Sequence, residues 1–122
     1  AVNTIAELNE CGFILSDLPY LSLGKKISKI LSLPKELLFL GGCGEYELLF
    51  TVDKKEEAAF LNNAKNHKLI FTKIGEMTKT DTKMLLSSDK KIDLRKFSIF
   101  ARNYENIKEY LGDLTDFIER QL

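Results

Sequence analysis

The residues best able to do chemistry begin with a short glycine-rich loop, made of Gly41, Gly42, Cys43 and Gly44. Because glycine has no Cβ, such a loop can turn sharply and bring its backbone amides close to an anion or another ligand. No Lys-Ser or Lys-Thr pair follows the loop, so it is not a phosphate-binding loop of the Walker type. The alternative is a plain turn at the end of a helix, where glycine is common.

Two carboxylates come directly after this loop. Glu45 and Glu47 flank Tyr46, and their two-residue spacing on a strand would direct both to one face of a sheet. Such a pair can hold a cation or a ligand amine. The alternative is an ordinary solvated sheet face.

Two other side chains could take part in a site. Cys43 would need a nearby base to act as a nucleophile, but the single histidine, His67, is predicted at a helix end, where it favours the helix dipole. We therefore expect no Cys-His catalytic pair. Phe97 lies in an alternating segment, and its ring either packs in the core or forms an aromatic wall for a flat ligand.

The elements that must position these residues follow from hydrophobic periodicity and capping patterns. Helices are predicted at 4–11, where Thr4 and Glu7 have the spacing of a capping box, around 27–31, from Pro34 to Gly41, at 53–66, and from an Asn103 cap to the C-terminus. Strands are predicted at 13–15, 46–52, 69–77, 84–87 and 96–100, with a polar turn at 88–91. Strands interleaved with helices predict an α+β fold with a mixed sheet layered with helices, in one domain spanning 1–122.

Composition excludes several classes of function. The chain has 122 residues, 18 basic against 18 acidic side chains, and 44% hydrophobic residues, which suits one small folded domain with no electrostatic preference for nucleic acid. Its apolar runs are far shorter than the roughly 20 residues that cross a bilayer, and no secretion signal is visible. Two cysteines without metal-type spacing favour a reducing cytoplasm. Scattered lysine pairs, as at 25–26, are interpreted as solubilising the surface.

Residues 41–52 read Gly-Gly-Cys-Gly-Glu-Tyr-Glu-Leu-Leu-Phe-Thr-Val and resemble the Gly-Gly-Glu-Asp-Tyr-Glu-Leu-Leu-Phe-Thr signature of thiamine-monophosphate kinases. Three further segments occur in the family's order. Asp17-Leu18-Pro19 comes first, residues 73–78 are similar to the family's Ile-Gly-x-Val-Thr segment, and residues 95–100 are similar to its Arg-Gly-Trp-x-His-Phe closing motif.

The resemblance implies the C-terminal domain of a two-domain enzyme, of the type shared with aminoimidazole ribonucleotide synthetase, selenophosphate synthetase and the hydrogenase-maturation dehydratase. In such kinases the intact protein, which can be a homodimer, converts ATP and thiamine phosphate to ADP and thiamine diphosphate. In the family the N-terminal domain supplies most of the aspartates that hold magnesium and ATP, and those motifs do not occur in this sequence. The fragment is therefore expected to hold no cofactor or metal and to be inactive by itself.

The resemblance also suggests a substrate-binding pair. The family's signature Glu contacts thiamine. Counting back from Tyr46 places that Glu at Gly44, whereas a loop shorter by one residue places it at Glu45, which we favour because a carboxylate suits the cationic thiazolium. Phe97 would replace the aromatic of the closing motif and keep a π face for the cation.

Departures from the family at Cys43, Gly44 and Ile99 leave two alternatives open. One is another ATP-dependent synthetase of the same superfamily acting on a different small molecule. The other is a non-catalytic binding or assembly module that retains the fold. No membrane or nucleic-acid partner is expected in any of these cases.

Overall fold

The computed structural model describes residues 1–41, 48–88 and 90–121. The helices are α1 (Val2–Leu8), α2 (Ser22–Ile30), α3 (Leu37–Leu40), α4 (Glu57–Asn66) and α5 (Ile107–Glu119), with a 3-10 turn at Ala101–Asn103. The strands are β1 (Gly12–Leu15), β2 (Gly75–Thr78), β3 (Lys83–Ser87) and β4 (Lys90–Asp93). Helices and a four-stranded sheet together confirm the predicted α+β class.

The sheet is mixed and has the order β2-β1-β3-β4. β1 runs antiparallel to β2 and parallel to β3, and β3 forms an antiparallel hairpin with β4. The register places Leu15 opposite Gly75 on one side and Leu85 on the other, while Leu85 also faces Ile92. Three large apolar residues therefore lie side by side across the middle of the sheet.

The main core forms where helices cover this row. Ala6 of α1 and Ile118 of α5 are fully buried and belong to the same cluster as Phe13, Leu15, Leu85 and Ile92. In α5, Tyr110, Leu114 and Ile118 recur every four residues and are all buried, because this spacing keeps them on one helix face. The predicted C-terminal amphipathic helix is therefore confirmed, with a later start.

A second apolar cluster holds α4. The rings of Phe50, Phe60 and Phe71 contact one another with centroids 5.0–5.4 Å apart. None of the three belongs to the core around Leu85. The cluster ties α4 to the two irregular segments on either side of it.

Three predicted strands were wrong in whole or in part. Residues 48–52, the described part of the strand predicted at 46–52, form no strand, and Leu48 is 82% exposed. The strand predicted at 69–77 begins only at Gly75. In both segments the alternation of apolar and polar residues predicted a strand. Phe50 and Phe71 instead bury their rings against each other, and the described backbone around them forms no strand hydrogen bonds.

The third wrong strand is 96–100. The hairpin instead uses β4 at Lys90–Asp93, so two lysines assigned to the turn pair in the ladder. Ile92 is fully buried, and this one side chain explains why the short polar strand docks. After β4 the chain turns, with the Phe97 amide donating to the Leu94 carbonyl at 3.2 Å.

Helix starts also differ from the capping patterns. α1 begins at Val2 without a side-chain cap. The Glu7 carboxylate accepts from the side-chain Nδ2 of Asn3 at 2.8 Å, a contact that is not part of the capping box predicted with Thr4. The Asp53 carboxylate accepts from the Lys55 amide and forms a turn before α4. Asn106, and not Asn103, caps α5 by accepting from the Lys108 amide at 2.8 Å. No helix in the described ranges has the length and apolar character needed to cross a membrane.

Candidate functional site

Most of the glycine loop, namely Gly42, Cys43, Gly44 and the carboxylate Glu45, lies outside the described residues. Gly41 is described and ends α3, where its amide donates to the Leu37 carbonyl at 2.9 Å. A Cβ built on Gly41 would lie 2.7 Å from the same carbonyl oxygen, closer than real Cβ contacts. Glycine is therefore required where the chain leaves α3. Because Glu45 lies outside the described residues, its pairing with Phe97 stays a prediction.

Phe97, the second predicted site residue, packs against the C-terminal helix. Its ring is half-buried and makes edge contacts with Phe117 of α5 and with Phe100, at centroid distances of 5.3 and 5.9 Å. Edge-to-face packing of this kind stabilises the contact between residues 95–100 and α5. The part of the ring left open is the only part that could face a ligand.

The neighbouring ring already contacts a cation. Phe100 is 42% exposed, and the Arg102 guanidinium carbon lies 5.1 Å from its ring centroid. This distance is within the range of cation–π attraction. On the strand predicted at 96–100, Phe97 and Phe100 would lie on opposite faces, because successive side chains alternate. In the irregular chain of this region the two rings meet and form one aromatic surface.

Arg95 is held by Asp93, two residues earlier in the chain. Its Nε donates to both carboxylate oxygens of Asp93, at 3.0 and 2.9 Å. These hydrogen bonds from the guanidinium, with one from the Arg95 amide, lower the pKa of Asp93 to about 2. Arg95 therefore anchors the chain just after β4.

Residues from two of the segments that resemble the family line one surface cavity of about 310 Å³. It is lined by Ile14, Ser16, Asp17, Lys73 and Glu76. The Lys73 ammonium lies 3.1 Å from a carboxylate oxygen of Glu76 and 3.1 Å from one of Glu57. These contacts raise the pKa of Lys73 and lower that of Glu76.

The packing of β2 on β1 explains why residue 75, in the segment 73–78, is a glycine. Gly75 opens β2 opposite Leu15, and a Cβ on it would overlap the carbonyl oxygen of Ile14. Only glycine allows β2 to approach β1 this closely. Local sequence does not predict this contact, because the partner residue, Leu15, lies some sixty residues earlier in the chain.

A buried polar group was missed by the sequence analysis. Glu36 is 3% exposed and accepts a short hydrogen bond from the Ser87 hydroxyl at the end of β3. The Tyr20 hydroxyl is buried nearby, and its pKa is raised first by burial and then by the Glu36 carboxylate. The group joins the loop before α2, the start of α3 and the sheet. The one sequence feature that indicates burial of Glu36 is its position between Pro34 and the apolar residues 37–40.

A second surface cavity, of about 260 Å³, lies between α1 and the chain before β3. Glu7, Glu10, Asp81 and Lys83 line it together with Cys11 and Ala6. Within the described ranges no three His, Cys, Asp or Glu side chains are grouped so that they could hold a metal ion. The described carboxylates with close cationic partners, such as Asp93 and Glu76, are committed to those partners.

Comparison with known proteins adds no relative, since no family model, curated protein or solved structure matches the chain significantly.

Proposed function

We propose that the chain is the C-terminal, substrate-side domain of a thiamine-monophosphate-kinase-like enzyme. The intact enzyme would transfer the γ-phosphoryl group of ATP to thiamine phosphate and release ADP and thiamine diphosphate. The observation that carries the proposal is the sequence of residues 41–52, with the supporting segments at 17–19, 73–78 and 95–100 in the family's order. An α+β fold with a mixed sheet is compatible with it.

Two features of the described residues support a substrate-side role. The aromatic surface of Phe97 and Phe100 is partly open, and its Phe100 face already attracts a cation. A thiazolium ring is a flat cation, and aromatic faces attract such groups. The segments at 17–19 and 73–78 share one cavity, so two of the four resembling segments come together in the fold.

The roles assigned to residues are narrow. Glu45 would face the thiazolium with its carboxylate, Phe97 would flank it, and the backbone of Gly41 to Gly44 would shape the loop. In phosphoryl transfer the protein mainly positions groups and neutralises charge. The resemblance assigns magnesium and ATP to the N-terminal domain of the intact enzyme, and no step proposed here depends on them.

Titration of thiamine phosphate into the 122-residue chain, followed by backbone amide NMR shifts, tests the proposal. We expect saturable shifts at residues 41–47 and 95–100, and about tenfold weaker binding for Glu45→Gln, the size of one lost charge-assisted contact. Glu105→Gln removes an exposed carboxylate elsewhere and should bind like the wild type. Inorganic phosphate alone should leave residues 95–100 unshifted.

Two results would contradict the proposal. Unchanged affinity of Glu45→Gln would remove Glu45 from the site. Absence of any saturable shift with thiamine phosphate would remove the kinase-like function itself and favour an assembly module.

A further inference from the structure

The chain is electrically neutral as a whole, but one segment of it is strongly basic. Residues 18–35 contain four lysines, Lys25, Lys26, Lys29 and Lys35, and no Asp or Glu. Three of these lysines lie on α2, and none of the ion pairs found in the described ranges uses them. Lys35 differs, because its ammonium donates to the Ser88 hydroxyl. α2 therefore presents three positive charges outside those ion pairs.

α2 contacts the rest of the protein through small residues. A Cβ on Gly24 would lie 3.0 Å from Cδ1 of Leu38, so α2 approaches α3 closely at that point. Ser28, one turn later, is buried at 8% exposure, and its hydroxyl donates to the Lys25 carbonyl at 3.1 Å. This narrow side leaves most of the circumference of α2 uncovered.

The apolar side of α2 is the part left open. Leu23, Ile27, Ile30 and Leu31 are 68%, 47%, 79% and 60% exposed, and Leu21 just before the helix is 78% exposed. Successive residues of a helix are rotated by about 100° about its axis. Leu23, Ile27, Ile30 and Leu31 therefore lie within one arc of roughly 100° around α2. The three lysines lie within a second arc of about the same width beside it. A helix of a globular domain normally turns such a stripe to the core.

We propose that α2 is a docking surface for an anionic lipid bilayer, on which the helix lies flat with its apolar arc in the headgroup region. Basic amphipathic helices with leucine and isoleucine on one face and lysine on the other bind membrane surfaces in this way. The lysines supply the attraction to anionic headgroups, and the aliphatic side chains supply the burial. This proposal departs from two sequence-based expectations: that the chain has no membrane partner, and that the lysine pair at 25–26 only solubilises the surface.

The composition of the face favours lipid over a protein partner. Centres of protein interfaces are enriched in Tyr, Trp, Met and Arg and depleted in Lys. α2 and its flanking leucines carry none of the enriched types and three lysines. The face is also convex, since it is the outer side of a helix.

Vesicle co-sedimentation of the 122-residue chain tests the proposal. Vesicles of 70% phosphatidylcholine and 30% phosphatidylserine should bind it, and pure phosphatidylcholine should bind it at least fivefold less. One short helix gives weak, reversible attachment, so binding should appear near millimolar lipid and fall in about 0.5 M salt. Each lysine near the surface contributes about fivefold to the affinity, so the vesicle affinity of K25Q/K26Q/K29Q should be roughly a hundredfold lower than that of the wild type.

Two further variants distinguish docking through α2 from attraction of any lysine-rich surface to the vesicle. K54Q/K55Q/K65Q removes the same charge from another segment and should change binding less than threefold. I27S/I30S keeps every charge, and its vesicle affinity should be at least about tenfold lower than that of the wild type. Its circular dichroism spectrum should be unchanged, because both side chains are exposed.

Several results would overturn the proposal. Equal binding to both vesicle types, no binding up to several millimolar lipid, or full binding by I27S/I30S would each do so. A dimer that I27S/I30S converts to a monomer, without vesicle binding, would make α2 a self-association face. Binding of poly-glutamate in place of vesicles would make it a site for an acidic protein.

Discussion

At the scale of single residues, Asp93 and Arg95 show how an ion pair fixes a chain turn. The Arg95 guanidinium spans both oxygens of Asp93, and the Arg95 amide donates to the same carboxylate. The folded pKa of Asp93, about 2, lies below the unfolded value of about 3.9. The pair therefore stabilises the fold fully above about pH 4, and this contribution is lost as pH falls through about 2.

Replacing Arg95 by Gln should raise the pKa of Asp93 towards about 3.9, because the carboxylate loses its cationic donor while the backbone amide at position 95 stays. Carboxyl carbon NMR shifts followed from pH 1.5 to 6 measure this directly. Arg102→Gln, which removes the cation over Phe100, is the matched control and should leave the Asp93 titration unchanged. An Asp93 pKa near 2 in Arg95→Gln would show that the backbone hydrogen bond alone holds it.

Two glycines in different surroundings give a second test at this scale. Gly75→Ala should lower the free energy of unfolding by roughly 1–3 kcal/mol or more, because its Cβ would overlap the Ile14 carbonyl and force β2 away from β1. Gly112→Ala, in α5 with no atom within 4 Å of the new Cβ, should raise it by about 0.5–1 kcal/mol. Urea denaturation measures both, and equal changes in the two variants would contradict the close approach of the strands.

At the scale of elements, α5 is the helix whose pattern was strongest and whose start was misplaced. The Asn106 side chain accepts from the Lys108 amide, and the chain at Asn103 is a 3-10 turn. Both asparagines precede an apolar stripe. The predicted start at Asn103 counted Tyr104 as helical, whereas Tyr104 is half-buried in extended backbone.

Asn106→Ala should cost about 1 kcal/mol of stability, the usual cost of losing an N-cap, whereas Asn103→Ala should change it by less than about 0.5 kcal/mol. Thermal unfolding of the two variants side by side measures the difference. The reverse order of effects would place the helix start at Asn103.

Strands were harder to predict than helices, for a physical reason that residues 48–52 illustrate. Alternation indicates which side chains can be buried together, but a strand also needs a neighbouring backbone to bond with. Phe50 finds its burial against Phe60 and Phe71, and no ladder forms in 48–52. β4 is the opposite case, since it has one buried apolar residue, Ile92, and pairs with β3 all along its length.

At the scale of the whole molecule, long-range pairing brings distant segments of the chain together. β1, near the N-terminus, lies between β2 and β3, so residues 12–15 contact residues 75–78 and 83–85. This pairing brings Asp17 beside Lys73 and Glu76 in one cavity. The same packing buries Glu36 with Ser87 and leaves the apolar side of α2 uncovered.

The amino-acid order by itself determined the α+β class, the presence of short helices near both ends, and the amphipathic stripe of α5, because these depend on local spacing and cost little chain entropy to form. It also supplied the likeness at residues 41–52 on which the proposed function rests. Only tertiary structure decided the strand order, the shift of the last strand to residues 90–93, the burial of Glu36 and the exposure of Leu23 and Ile30. Each of these depends on which distant backbone or side chain occupies the neighbouring space, and local periodicity does not encode that.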